Sequence, residues 1–463
     1  MPRSARGDFP PNRPDQGLKA IFGRLVERTR ARSAWETTGW VFASYGLGAV
    51  VAMAVQVVLT RTLGVTEVGV MVTTAAWGLI FEQAIMARGA ETALSLFARK
   101  AHSDRGPWGA LAIDLMLIDL LWLGLCASLF LGVAWLLAPP GVDRGLLGAL
   151  ALGTVLQFAW GACKAGQIVF EPVRRQAQLE IVTTVGALVL PIIGVLGWGL
   201  HGYGWGMAAV GGFRSLTALG FVWPHLKRAR WSLRRREVSW GELRYLGGLA
   251  MVRASSIALS GQLDILLLAA SGVGATVATY SRARIVSSTP ARVFAPIWTL
   301  ARKAVVTGIH HGGIREARGQ ITLAALGMLV LGAPAFLIVW LWGRPLLTLL
   351  FGPAYGEAAL ALSILLPSSW FFDVMTGWAK FAAAVAPRKL VTSGAFVGRC
   401  LIAGGLWWLW KPDGAAEMAW IVAVANVATG AVFWLALFND RWLIGTAPQA
   451  TDDVTPLDGP PQG

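Results

Sequence analysis

Charge is scarce in this chain. Only 14% of its 463 residues are Asp, Glu, Lys or Arg, where a soluble domain carries about 25%. Cysteine is scarcer still. The three present, Cys126, Cys163 and Cys400, all lie in apolar runs, and an odd set placed there argues against a disulfide framework. No lysine follows a glycine, so the GxxxxGK[ST] loop that cradles nucleotide phosphates is absent. HExxH, GxSxG and Cys/His metal spacings are missing too, and there are only five histidines. Residues 1–37 are Pro- and Arg-rich without an apolar centre, which gives no cleavable leader. The loops expected on the outer face are all short. A membrane glycosyltransferase, polymerase or ligase would need a long catalytic loop there. The chain is therefore expected to be no enzyme and to need no cofactor.

Apolar residues are plentiful. They make up 55% of the chain, and the mean hydropathy is +0.58. A helix that crosses a bilayer needs about 20 mainly apolar residues. Twelve such spans are predicted, at 38–60, 69–94, 109–137, 146–170, 178–199, 205–223, 245–270, 276–300, 320–342, 355–379, 388–410 and 415–437. The net charge of +15 is not spread like a nucleic-acid footprint. Cations crowd alternate gaps. Eight lie before span one, three between spans two and three, two between four and five, and seven between six and seven, where HLKRARWSLRRREVSWGELR stands. The gap between spans eight and nine holds Arg302, Lys303, Arg315 and Arg318, and that between ten and eleven holds Lys380, Arg388 and Lys389. The intervening gaps hold one or none. Basic loops stay in the cytoplasm, so both termini are expected there, in a multi-pass cytoplasmic (inner) membrane protein of a bacterium.

One segment needs this rule. ATYSRARIVSSTPARVFAPIW carries Arg282, Arg284 and Arg292, two prolines and no acid. Hydropathy alone would reject it as a span. Without it, only eleven crossings remain and the charge alternation fails after residue 300. It is therefore read as a crossing. Trp340, Trp342, Trp407, Trp408 and Trp410 fall at expected span ends, where indole rings favour the headgroup layer.

The long basic segment divides the spans six and six. The expected organisation is a basic tail over 1–37, with an interfacial helix at 16–35, then a six-helix lobe over 38–224. A basic linker follows at 225–244, a second six-helix lobe at 245–440 and a disordered tail at 441–463. This is an all-α membrane protein with two lobes around a central cationic cavity, a plan in which substrates bind between the halves.

Eight cations lie inside spans: Arg88, Lys164, Arg214, Arg253, Arg282, Arg284, Arg292 and Arg399. Facing lipid they would cost roughly 20 kcal/mol on insertion scales. Most must therefore line a wet cavity or meet an acid. Arg88 can pair with Glu91 on its own helix face, and Arg214 and Arg399 can snorkel to a border. Arg284 and Arg292 are expected on the cavity, with Arg282, Arg253, Lys164 and Arg88 as further substrate contacts. Because Arg282 is two residues from Arg284 it points elsewhere, to Asp264 or the outer mouth. A cationic lumen implies an anionic substrate, and the planar guanidinium fork suits phosphate oxygens.

Three motifs carry a resemblance. RTLGVTEVGVMV follows span one, LDILLLAASGVGATVATYSRA joins spans seven and eight, and LLTLLFGPAYGEAALAL follows span nine. Together they resemble the turns of polysaccharide transporters, the oligosaccharide flippases of the multidrug/oligosaccharidyl-lipid/polysaccharide (MOP) exporter superfamily. Val68 stands where an aromatic often precedes the glycine, and Ala278 where glycine is usual; neither changes charge. The resemblance implies alternating access and a polyprenyl-pyrophosphate-linked oligosaccharide moved from the cytoplasmic to the outer leaflet, as in lipopolysaccharide synthesis. It also implies an ion gradient or membrane potential as driver, for which Asp264, Glu82 and Asp373 are the coupling candidates. Two other functions remain open: a drug antiporter of the same superfamily, and a non-transporting scaffold beside a polysaccharide polymerase and glycosyltransferases.

Overall fold

A computed structural model describes residues 32–103, 108–137, 141–171, 173–229, 240–272, 274–385 and 389–438. The expected interfacial helix at 16–35, nearly all of it, and the C-terminal tail lie outside these residues, as does the middle of the basic linker. The described residues form α1 (Arg32–Thr62), α2 (Val65–Ser103), α3 (Gly109–Leu137), α4 (Arg144–Leu156), α5 (Phe158–Phe170) and α6 (Val173–Arg228). Then come α7 (Trp240–Ala270), α8 (Gly274–Phe351), a 3-10 turn (Pro353–Ala358), α9 (Ala359–Val385), α10 (Lys389–Trp410) and α11 (Ala415–Phe438). No strand occurs among them. In the bilayer every backbone group must be satisfied within its own segment or a closed barrel, and a continuous helix does this.

Two of these helices are hairpins. In α6 the backbone leaves helical angles at Trp198 and Gly199, the latter at φ +58°, a left-handed value that glycine adopts without strain. The arms then touch along glycines: a Cβ on Gly194 would lie 2.0 Å from the Gly202 carbonyl oxygen. These arms are spans five and six. The other hairpin is α8, 78 residues long. Phe294 and Phe336 both pack edge-on against Trp370, at 5.7 and 6.4 Å between centroids. A straight helix would hold them roughly 60 Å apart. Arg282 likewise lies over the ring of Phe351, 5.8 Å from its centre. So α8 folds back on itself near the basic run, and its first arm is a full crossing despite its three arginines. Span four is broken rather than straight, with α4 and α5 bent by 41° at Gln157.

Among the described residues eight stretches are long and apolar enough to cross a membrane, and nine with the bent pair α4–α5. The arms of α6 share one of these. The polar first arm of α8 and α10 complete twelve crossings in two six-helix lobes. Trp340, Trp342, Trp408 and Trp410 are exposed, as lipid-facing rings would be, whereas Trp407 packs on the core.

Buried apolar residues reveal how the lobes meet. One large cluster draws on both lobes: Leu59, Val68 and Val195 with Leu268, Tyr280, Leu347 and Met418. All of it lies at the end away from the basic segments. At the basic end each lobe keeps its own core. Phe97, Trp108, Cys163 and Val222 form one; Met328, Trp370, Val374 and Phe433 form the other. Among the described residues the lobes share a core at the end away from the basic segments and not at the basic end. Gly69 shows how tight that join is, since a Cβ there would lie 2.2 Å from the Gly274 carbonyl oxygen. Arg61 adds a clasp by donating to the carbonyls of Leu349 and Leu350.

Candidate functional site

A cavity of about 300 Å³ lies between the lobes, on the basic-end side of the shared core. The N-terminal lobe supplies a wall of small side chains, Ala49, Ala52, Ala75 and Ala76, with Gln56 and Tyr203 at the closed end. The C-terminal lobe supplies one face of α8: Ser281, Arg284, Ile285, Ser288, Thr289 and Arg292. Those intervals of three and four are the spacing that places residues on one side of a helix. Among the described residues two arginines line the cavity and no carboxylate does. Arg292 is exposed at the open side.

Arg284 is held from behind. Its Nε is 3.2 Å from Asp264 Oδ2, and its two terminal nitrogens donate to the Gly261 carbonyl and to Gln262 Oε1. Asp264 is buried. It also accepts from the Tyr280 hydroxyl at 2.7 Å and from the Ile265 amide at 3.0 Å. Beside it Arg399 donates to Asn426 Oδ1 at 2.8 Å and to the Ser260 hydroxyl and carbonyl, and stacks on Phe372. Arg399 therefore sits inside the C-terminal lobe rather than snorkelling to a border. Low surrounding polarity strengthens each of these contacts and makes any unpaired member costly.

The other expected contacts fall in different places. Arg282 does not meet Asp264. It points to the closed end and donates to Gln56 of the opposite lobe. Lys164 is not on the cavity: it pairs with Glu180 and lies 5.1 Å from the Trp160 ring, within the N-terminal lobe. Arg253 is half-buried on α7, two turns nearer the basic end than Gly261, with contacts of its own and off the cavity lining. The side chains of Arg88 and Glu91 lie outside the described residues. Of the coupling candidates, Glu82 accepts from Gln157 Nε2 at 3.4 Å, and Gln157 Oε1 accepts from Arg214 at 3.2 Å. Gln157 occupies the break in span four, so the bend delivers the side chain that joins Glu82 to Arg214. Arg214 is thus inside its lobe as well. Asp373 is half-buried on α9 and has partners. No group of three or more potential metal ligands occurs among the described residues.

Comparison with known proteins places the fold. No family model matches the chain, and no curated protein matches it in sequence. Solved structures do match. An inward-facing multidrug-resistance MATE transporter of the MOP superfamily superposes with a TM-score of 0.68 at 14% identity, over 84% of this chain and 93% of that one. A MOP superfamily transporter from Pyrococcus furiosus, described by a reversed polarity of its binding pocket that suggests a different function, gives 0.65 at 13% identity, over 87% and 96%. The Vibrio cholerae MATE transporter VcmN in its bent form gives 0.59 at 18% identity, over 88% and 96%. The chain has the fold of these MATE-type transporters.

Proposed function

We propose that this protein is an alternating-access transporter of an anionic amphiphile: a flippase that carries a polyprenyl-pyrophosphate-linked oligosaccharide from the cytoplasmic to the outer leaflet. One observation carries the reading: among the described residues, the cavity between the lobes is lined by Arg284 and Arg292 and by no acid. A cationic drug would be repelled there, whereas a diphosphate would meet two guanidinium forks. With the basic segments in the cytoplasm, the open side of the cavity faces inward. The exposed Arg292 meets the anion first, and Arg284 then exchanges its buried partner Asp264 for a phosphate oxygen. The hydroxyls of Ser281, Ser288 and Thr289 donate to carbonyls of their own helix and add polar surface to the cavity. The cavity suits a head group, and the glycan and the lipid chain would extend through its open side. Asp264, once parted from Arg284, is the first candidate to take up a coupling cation, ahead of Glu82 and Asp373.

Pocket polarity also sets apart one of the neighbours, the Pyrococcus protein. A scaffold role would leave the arginine stripe without a task. The test is flipping in proteoliposomes. A fluorescent polyprenyl-diphosphate oligosaccharide should cross with the wild type and stay put with Arg284→Gln plus Arg292→Gln. Normal flipping by a folded double variant contradicts the proposal, and efflux of a cationic dye by the wild type would favour the antiporter.

A further inference from the structure

We propose that Arg282 and Tyr355 form a small-anion site, of halide size, sealed in the closed end where the two lobes meet. Arg282 is 0% exposed. One terminal nitrogen donates to Gln56. Its Nε and its other terminal nitrogen are buried and, like the Tyr355 hydroxyl, lack a hydrogen-bond partner of good geometry, although Tyr355 lies close enough to the guanidinium to touch it. Tyr355 and Tyr203 lie near the guanidinium, and the Phe351 ring is 5.8 Å from it. No described carboxylate comes within ion-pairing distance.

The contrast with Arg284, two residues on, is direct: Arg284 has Asp264. A buried cation without a counter-charge is strongly unfavourable, and each orphaned donor adds to that cost. The guanidinium nitrogens can only donate; even where the Tyr355 oxygen accepts from one of them, the other nitrogen and the phenol O–H still call for an acceptor. What balances the guanidinium is a negative charge. Leu59, Val68, Leu347 and Phe351, all buried, crowd this end, which favours a monatomic ion over a phosphate. Gln56 belongs to one lobe, Arg282 and Tyr355 to the other. The ion is therefore enclosed only while this end is shut, and by linkage it stabilises that state. Arg282 serves here as part of a join between lobes, not as a contact for the carried head group, and the site is independent of what is transported.

Thermal unfolding of the purified full-length protein in sodium chloride or bromide against sodium gluconate, at equal ionic strength, tests this. The wild type should show a saturable halide-dependent rise in Tm. Arg282→Gln should abolish it, Tyr355→Phe should weaken the apparent halide affinity several-fold, and Arg284→Gln should leave it in place. Crystals soaked in bromide should give an anomalous peak between Arg282 and Tyr355. No halide response in the wild type, an unchanged response in Tyr355→Phe, or no bromide at Arg282 would each overturn the proposal. If Arg282→Gln does not fold, the Tyr355→Phe titration and the bromide map still decide.

Discussion

The two lobes solve the problem of buried charge in opposite ways. In the N-terminal lobe the polar groups face each other. Glu82, Gln157 and Arg214 form a chain of long contacts, 3.4 and 3.2 Å, and Lys164 is tied to Glu180. What that lobe turns to the cavity is mostly alanine and other apolar surface. In the C-terminal lobe a network around Asp264 anchors Arg284 by its back edge and leaves the stripe from Ser281 to Arg292 facing the cavity. One lobe is a neutral wall and the other a cationic face. Charge inside a span is thus no guide to function by itself; what matters is whether the lobe consumes it internally.

The largest expected effect breaks the cationic face. Arg284→Gln with Arg292→Gln should abolish flipping of a polyprenyl-diphosphate glycan, since each lost charge-assisted contact costs about 1.5–3 kcal/mol. Lysine at both positions should restore part of it, because charge is kept while the fork is lost. Next, Gly69→Val should prevent closure at the shared core, because a side chain would strike backbone. Double electron–electron resonance between spin labels on the two lobes at that end should show a longer distance than in the wild type. A smaller effect sharpens the role of Asp264. Removing the competitor for Arg284 by Asp264→Asn should strengthen binding of a short-chain polyprenyl diphosphate several-fold by calorimetry while slowing flipping; weaker binding would mean that Asp264 only orients the arginine. Smallest of all, Arg214→Gln should cost about 1–2 kcal/mol of stability, from a lost buried contact to Gln157, and leave diphosphate binding within about twofold. A large loss of binding there would erase the distinction between lobes.

Much of this was legible in the sequence. Alternating basic gaps required the first arm of α8 to cross, and its residue spacing put Arg284 and Arg292 on one face. The LG…G motif marked Gly69 without its reason, which is the backbone contact to Gly274 across the lobes. Arg399 was misjudged because its partners, Ser260 and Asn426, stand 139 and 27 residues away, on helices that only the fold brings beside it. Lys164 misled in the same way through Glu180. The bend at Gln157 left no proline or glycine signal at that position. Which end is closed could not be read at all, since a protein that alternates as proposed must encode both states in one sequence.

If the proposed function is right, the arginine face of α8 stands in water reached from the basic end. Replace Cys126, Cys163 and Cys400, introduce Ser288→Cys, and compare a negatively with a positively charged water-soluble thiol reagent applied from each side of the membrane. Labelling should occur from the basic-loop side, faster for the anionic reagent, with that preference reversed or lost in Arg284→Gln. A folded Ser288→Cys protein inert to both reagents from both sides, or one that favours the cationic reagent, would contradict it.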